Sequence, residues 1–236
     1  MWRFLSVLMG VVALTACAAP GHPAWHEPTG VRYRFDGGLG DDRGVLPLRV
    51  ASAGGAIAMV DRAGGRAVRF PPPCERYGAR ECARVVLESG PASFLNPGAG
   101  PIRFGAAIRM SDGETTEGAN VLQKGYSIGH SQFKLQVDGV RGRPSCVLVG
   151  VASSRIYAAI ADRSVANGRW HTVDCVRDGA SLTVSVDGVL AGSVSLPTTL
   201  SVYNDDPLRV GGKGSSANND QFNGALDDVY VDPGPL

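Results

Sequence analysis

The sequence is poor in lysine, aromatics and histidine. Of its 23 basic residues only Lys124, Lys134 and Lys213 are lysines. Acidic residues nearly balance them, the formal net charge is +1, and no basic stripe runs along the chain, which excludes nucleic acid as a partner. Beyond the N-terminal leader no apolar run reaches the roughly 20 residues of a membrane-spanning helix. Cys-x-x-Cys spacing is absent, which argues against a zinc site. There is no nucleophile elbow and no phosphate-binding glycine loop ending in lysine. Of the glutamates Glu27, Glu75, Glu81, Glu88, Glu114 and Glu117, only the last two lie close together. They sit in an acidic stretch that reads as an exposed loop, not as the strand-borne pair of carboxylates that glycoside chemistry needs. What is abundant is turn chemistry. The 32 glycines and 15 prolines suit many turns and few long helices.

The leader has a short basic start, Met1-Trp-Arg3, and an apolar run from Phe4 to Ala16. That run is too short for a comfortable span and has the length of a signal-peptide core. Its end, Leu14-Thr-Ala-Cys17, resembles the bacterial lipoprotein signal, in which a small residue precedes a cysteine that is lipidated and becomes the new N-terminus. This reading makes 1–17 a lipoprotein-type signal peptide with Cys17 lipidated, 18–30 a tether, and 31–232 the folded domain. Several acyl chains, at about 0.8 kcal/mol per buried CH₂, would hold the chain at the outer face of a bacterial cytoplasmic membrane. The alternative is an ordinary secretory signal cut near Ala16, giving a secreted protein. The tether is rich in Pro and lacks periodicity, and His22 and His26 belong to it.

After the tether, strand-sized runs recur with turn signals between them, which favours a sandwich over an α/β fold. Val31–Phe35, Leu46–Val50, Ala56–Val60, Ala67–Phe70 and Ala83–Leu87 are expected strands. An acidic, Gly-rich loop from Asp36 to Gly44 separates the first two, and Pro71-Pro-Pro73 breaks the sheet before a compact loop from Cys74 to Cys82. Ile102–Met110 ends in an apolar run, as a central strand does. Asn120–Lys124, Phe133–Val137, Ser145–Gly150 and Ile156–Ala159 follow.

The stretch from Asn167 to Gly188 reads as a hairpin. Asn167-Gly168 and Asp187-Gly188 tolerate the positive φ of tight turns, and Asp178-Gly179 begins the connection. Along the first strand Trp170, Thr172, Asp174 and Val176 share one face, and His171, Val173, Cys175 and Arg177 the other. In the second strand Leu182, Val184 and Val186 alternate with polar residues. Trp170 is expected in the core, and His171 at a packing or surface position.

Trp170-His-Thr-Val followed by Leu182-Thr-Val-Ser-Val-Asp-Gly resembles the central hairpin of laminin G-like, concanavalin A-like domains. Phe133-Lys-Leu-Gln-Val-Asp-Gly139, Pro207-Leu-Arg-Val-Gly-Gly212 and Phe222-Asn-Gly-Ala-Leu-Asp-Asp-Val-Tyr-Val231 fit the same family in order and spacing. The resemblance implies an all-β, concanavalin A-like jelly-roll β-sandwich of two antiparallel sheets. The fold hosts lectins, adhesion modules, glycosidases and lyases, so it does not name an activity.

Four cysteines remain beside Cys17, and three pairings are open. Cys74 and Cys82 flank a short Gly-containing loop, and Cys146 and Cys175 each sit in an expected strand and resemble a pair in related bacterial domains, so Cys74–Cys82 and Cys146–Cys175 are the expected bridges. The resemblance also implies one structural calcium ion, held by Asp227 at the start of the last strand and by Asp41 or Asp42 in the N-terminal loop, with backbone oxygens completing six to eight ligands. For a ligand, the loop from Gly211 to Asn223 is rich in amides and small residues, with Asn218, Asn219 and Asp220 at its tip; amides suit sugar hydroxyls. Tyr126, Tyr157 and Tyr203 are the rings that could stack on a sugar. The expected function is a lipid-anchored, non-catalytic binding module for a glycan or a cell-surface or cell-wall protein. The alternative is a divergent glycan hydrolase or lyase; a lyase would draw parts from Tyr126, His130, Tyr157 and His171, which no motif places together.

Overall fold

A computed structural model describes residues 29–76, 79–128, 131–151, 154–234. Cys17, the tether before Thr29, and His130 lie outside them. The described residues form two antiparallel sheets. The first runs in the order β13 (Val189–Ser195), β12 (Ser181–Val186), β11 (Trp170–Asp178), β6 (Ile102–Arg109), β15 (Ala225–Pro233), β4 (Gly65–Arg69), β3 (Ala58–Arg62), with β1 (Val31–Tyr33) also on β15. The second runs β10 (Tyr157–Ile160), β9 (Arg143–Val149), β8 (Gln132–Asp138), β7 (Gly118–Gly125), β14 (Pro207–Val210), β5 (Arg84–Pro91), β2 (Arg49–Ala53). The jelly-roll sandwich expected from the resemblance is therefore present.

One inward face from each sheet makes the core. Ile102, Phe104, Ala106 and Ile108 of β6 meet Phe133, Leu135 and Val137 of β8, and all are buried. The Phe104 and Phe133 rings touch across the sheets at 5.3 Å between centroids. Cys146 on β9 and Cys175 on β11 are both fully buried and bonded, so this disulfide ties sheet to sheet through the core. Cys74 and Cys82 close the loop after β4. Both pairs are those expected from the sequence.

Three local readings change. The first strand stops at Tyr33 because Phe35 takes φ 58, a costly conformation for an aromatic residue, and turns its ring inward beside Tyr33. The expected strand at Leu46–Val50 begins instead at Arg49, while Leu46 and Leu48 plug the core from an irregular segment. Trp170 is not core. Val173, Cys175 and Arg177 face inward, so Trp170 stands on the outer face of the first sheet, with the Arg62 guanidinium 4.7 Å above its ring.

His171 pins the hairpin ends. Its Nδ1 is 2.8 Å from Asp187 Oδ2 and its Nε2 3.0 Å from Asn167 Oδ1. A ring engaged at both nitrogens within its own hairpin is not poised as a catalytic base. Arg177, wholly buried on the core face, donates to Gly98 O and Thr198 O at 3.2 Å each and so joins two loops at the end of the sandwich.

Candidate glycan-binding face

The loop from Gly211 to Asn223 folds back along the start of β7. Gly211 N–H donates to Val121 O at 3.0 Å, Lys213 N–H to Asn219 O at 2.8 Å, and Asn120 N–H to Asp220 O at 2.9 Å. The turn into it requires glycine: Gly211 has φ 89, and a Cβ there would lie 2.0 Å from the Phe70 ring. The Gln221 side chain then clamps the loop base. Its oxygen accepts Val85 N–H at 2.9 Å and Asn219 Nδ2 at 3.1 Å, and its nitrogen donates to Gly211 O and Phe222 O. Arg84 donates to Ser215 O on this loop and to Ala79 O and Arg80 O on the disulfide loop, which bolts the two loops together.

The loop borders the outer face of the seven-stranded sheet. Cross-strand register sets Lys134 of β8, Gln123 of β7, Arg209 of β14, Glu88 of β5 and Arg49 of β2 in one row. With strands about 4.8 Å apart the row is about 19 Å long. Ser145, Gln136 and Asn120 form a parallel row beside it. Arg209 Nε donates to Glu88 Oε2 at 2.5 Å and its guanidinium lies 5.4 Å from the Tyr126 ring centre. Tyr126 donates its hydroxyl to Lys213 O at 2.9 Å, and Lys213 Nζ reaches Asp220 Oδ2 at 2.9 Å. Asn120 Nδ2 donates to Gln123 Oε1 at 2.7 Å and Gln123 Nε2 to Gly125 O at 2.6 Å, so these two buried amides brace the face from within.

Two polar atoms of this face, Asn120 Oδ1 and Arg209 Nη1, are buried without a hydrogen-bond partner. A buried polar atom left unpaired costs about 1–3 kcal/mol, a cost shared by Arg177 Nε in the core. Burial also lowers the Lys134 pKa, offset in part by Asp138 and Asp220. It raises that of Asp138, against the pull of the Ser145 hydroxyl and of Lys134.

The sequence-expected residues are only partly united here. Tyr126 and Asp220 belong to the site. Asn218 is exposed at the loop tip with φ 58. Asn219 is 3% exposed and spends its amide on Gln221, so it shapes the loop and does not present a group to a ligand. Asn218 and Asn219 also line a crevice of about 30 Å³ against the Cys74–Cys82 disulfide, room for a water. Tyr157 is a correction: its ring is 7% exposed, part of the core, and covered by Arg155 at 5.0 Å. Tyr203 is 56% exposed in the loop before β14, its backbone tied to Ser131 Oγ. Arg209, Gln123, Gln136 and Asn120 were not singled out from sequence. The available signal was the polar alternation Gln132, Lys134, Gln136, Asp138 on a strand with neighbours on both sides.

The carboxylates expected to bind calcium do not converge. Asp227 accepts Arg62 and its neighbour's N–H, and Arg62 also reaches Asp228 Oδ2 at 2.9 Å. Asp41 uses both oxygens on the N–H groups of Arg43 and Leu46, at 3.1 and 2.7 Å. Asp42 pairs with Arg34 at 3.2 Å. Among the described residues no three His, Cys, Asp or Glu groups surround one point. A guanidinium balances the acidic start of the last strand, and the side chains present do not fit the oxygen cage of a calcium ion. Glu114 is committed as well: it caps the turn at Ser111, accepting its N–H at 2.7 Å, and pairs with Arg69.

The fold recurs in solved proteins. Domain 4 of AbnA, a GH43 extracellular arabinanase from Geobacillus stearothermophilus, solved with arabinotriose, is 18% identical with a TM-score of 0.62, covering 87% of this chain and 92% of that one. The binding domain of Paraclostridial Mosquitocidal Protein 1 is 11% identical with a TM-score of 0.63 over 89% of this chain and 49% of that one. The binding domain of Botulinum Neurotoxin DC, solved with SialylT, is 11% identical with a TM-score of 0.62 over 89% and 48%. At these identities the likeness is one of fold, and this chain spans about half the length of the toxin domains. No curated protein matches it. The family model for the concanavalin A-like lectin/glucanases superfamily matches residues 103–236, from the central strand β6 through the hairpin and the 211–223 loop to the end, and the chain belongs to that family.

Proposed function

We propose that this protein is an exported, non-catalytic module that binds a glycan across the outer face of the seven-stranded sheet, beside the 211–223 loop. The observation that carries the reading is the polar register of Lys134, Gln136, Arg209, Glu88 and Arg49 on that face, beside Tyr126 and the amide-rich 211–223 loop. Amides donate and accept at once, as sugar hydroxyls do. Two disulfides fit export, since such bonds persist in oxidising compartments. The arabinotriose complex of the related arabinanase domain lends the glycan class support without deciding the sugar.

The test is retention of the purified protein on an array of cell-wall and other polysaccharides, with calcium and with chelator. Retention on one polysaccharide class is expected, weakened about tenfold or more by Arg209→Ala and by Tyr126→Ala, with thermal melting little changed. A tenfold loss corresponds to about 1.4 kcal/mol. Chelator is expected to leave retention unchanged, because Arg62 holds Asp227; a strict calcium requirement would overturn that assignment. No retention on any polysaccharide defeats the glycan reading and leaves a protein ligand.

The anchor is part of the same proposal and rests on sequence. Lipid on Cys17 would hold the domain at the outer face of a bacterial cytoplasmic membrane through the 18–30 tether. Cys17→Ser is then expected to move the protein out of the membrane fraction. Equal partition of variant and wild type would rule the anchor out.

A further inference from the structure

A cavity of about 490 Å³ lies on the opposite side of the sandwich, on the outer face of the eight-stranded sheet. That volume is within the range of ligand pockets. Its floor is bare by construction. Outward positions on β6 are Arg103, Gly105 and Ala107, aligned with Asp174 and Thr172 of β11 on one side and with Asp232 and Tyr230 of β15 on the other. A Cβ on Gly105 would sit 2.8 Å from Tyr230 Cε1 and 2.4 Å from Val173 O, so only glycine lets Tyr230 lie across the strand. The ring is locked there: its hydroxyl donates to Asp174 Oδ1 at 2.6 Å, and the Arg32 guanidinium lies 4.6 Å above it.

Four arginines and four aspartates line the cavity. Three of the arginines are occupied. Arg34 pairs with Asp42 at 3.2 Å, Arg32 stacks on Tyr230 and lies 3.9 Å from Asp228, and Arg43 donates to Gly30 O at 2.6 Å. Arg103 is exposed and makes no hydrogen bond or ion pair among the described residues. This balance selects a ligand. A multiply charged anion such as a phosphate or sulfate polymer meets the aspartates. A neutral sugar leaves the guanidinium unused. A polyhydroxylated unit bearing one carboxylate satisfies both: the planar fork of Arg103 takes the carboxylate in two parallel hydrogen bonds, and Asp174, Asp232 and Thr172 accept from hydroxyls.

We propose that this cavity is a second site, separate from the glycan face on the other sheet, which takes a uronic-acid sugar with Arg103 as the carboxylate anchor. The site does not depend on the reading of the opposite face.

The experiment is calorimetric titration of the purified protein with galacturonate and glucuronate trimers and with their methyl esters, at fixed ionic strength. At least one acid is expected to bind ten-fold or more tightly than its ester. Arg103→Gln is expected to bring the acid down to the ester's affinity with no change in melting temperature, and Arg209→Ala on the other sheet to leave the discrimination intact. Equal binding of acid and ester, absence of binding by both acids, or an Arg103→Gln variant that still discriminates would each overturn the proposal. So would an acidic peptide that binds at Arg103 where the uronates do not.

Discussion

Replacing Cys146 and Cys175 together by alanine is expected to lower the unfolding free energy by about 3–4 kcal/mol and the melting temperature by about 10 °C. The bridged residues are 29 apart in sequence. Closing a loop of that length in the unfolded chain removes about 3–4 kcal/mol of conformational entropy on the loop-closure estimate, and a domain of this size loses roughly 2–4 °C per kcal/mol. The link also has a structural place that the other bridge lacks. It joins β9 of one sheet to β11 of the other, inside the core, whereas Cys74–Cys82 spans 8 residues and closes one surface loop. Cys74→Ala with Cys82→Ala is therefore expected to cost less, about 2–3 kcal/mol by the same estimate. It should instead loosen the 211–223 loop through Arg84. Thermal and denaturant unfolding of the two double variants, each without free thiols, checks the order. A smaller loss from the Cys146–Cys175 variant than from the Cys74–Cys82 variant would contradict it.

Legibility in the sequence followed the range of the interaction that decides each feature. The hairpin around Asp178-Gly179 was readable because turn chemistry is local: Gly168, Gly179, Asp187 and Gly188 all take positive φ where the sequence placed turns. The apolar alternation of β12 was equally plain. Trp170 was not, because its strand offers apolar residues on both faces. Val176 and Trp170 stand on one and Val173 and Cys175 on the other, and only packing on β6 chooses between them. The glycan face was half visible. Tyr126 and the 211–223 loop were singled out by composition, but Arg209, Gln123 and Glu88 meet through pairings between β7, β14 and β5, which are far apart in sequence. Nor can the calcium ligands be judged from the aspartates alone, since what occupies Asp227 is Arg62, more than 150 residues upstream.

Lys124 shows how one extra residue redirects a side chain and a pH response. Read as an uninterrupted strand, Asn120, Leu122 and Lys124 share a face. A bulge between Asn120 and Leu122 shifts the alternation, so that Lys124 aligns with Phe133 and Leu208 and points to the core side. It is fully buried there, and its ammonium donates to Asn96 Oδ1 at 2.9 Å, Asn204 O at 2.7 Å and Asn204 Oδ1 at 2.9 Å. No carboxylate completes the set. Burial lowers its pKa to about 8, against a partial upward pull from Asp206 and Asp205. Below pH 8 both folded and unfolded chains carry the proton, and the cost of burying the charge is fully present. Above it the folded chain releases the proton first, so the unfolded state binds more protons up to its own pKa, and stability rises with pH through that interval. Lys124→Met keeps most of the volume but strands three acceptors at the junction of two loops, a loss of about 2 kcal/mol at pH 7. Between pH 7 and 9.5 the gap between wild type and variant is expected to widen by on the order of 1 kcal/mol, with solvent screening near the loops included. Urea unfolding of both proteins at the two pH values measures it. Using the difference removes the contribution of Tyr33 and Tyr230, whose burial raises their pKa values and makes stability fall at still higher pH. A gap that stays constant or narrows would mean that the Lys124 ammonium is as well solvated in the folded protein as in the unfolded chain.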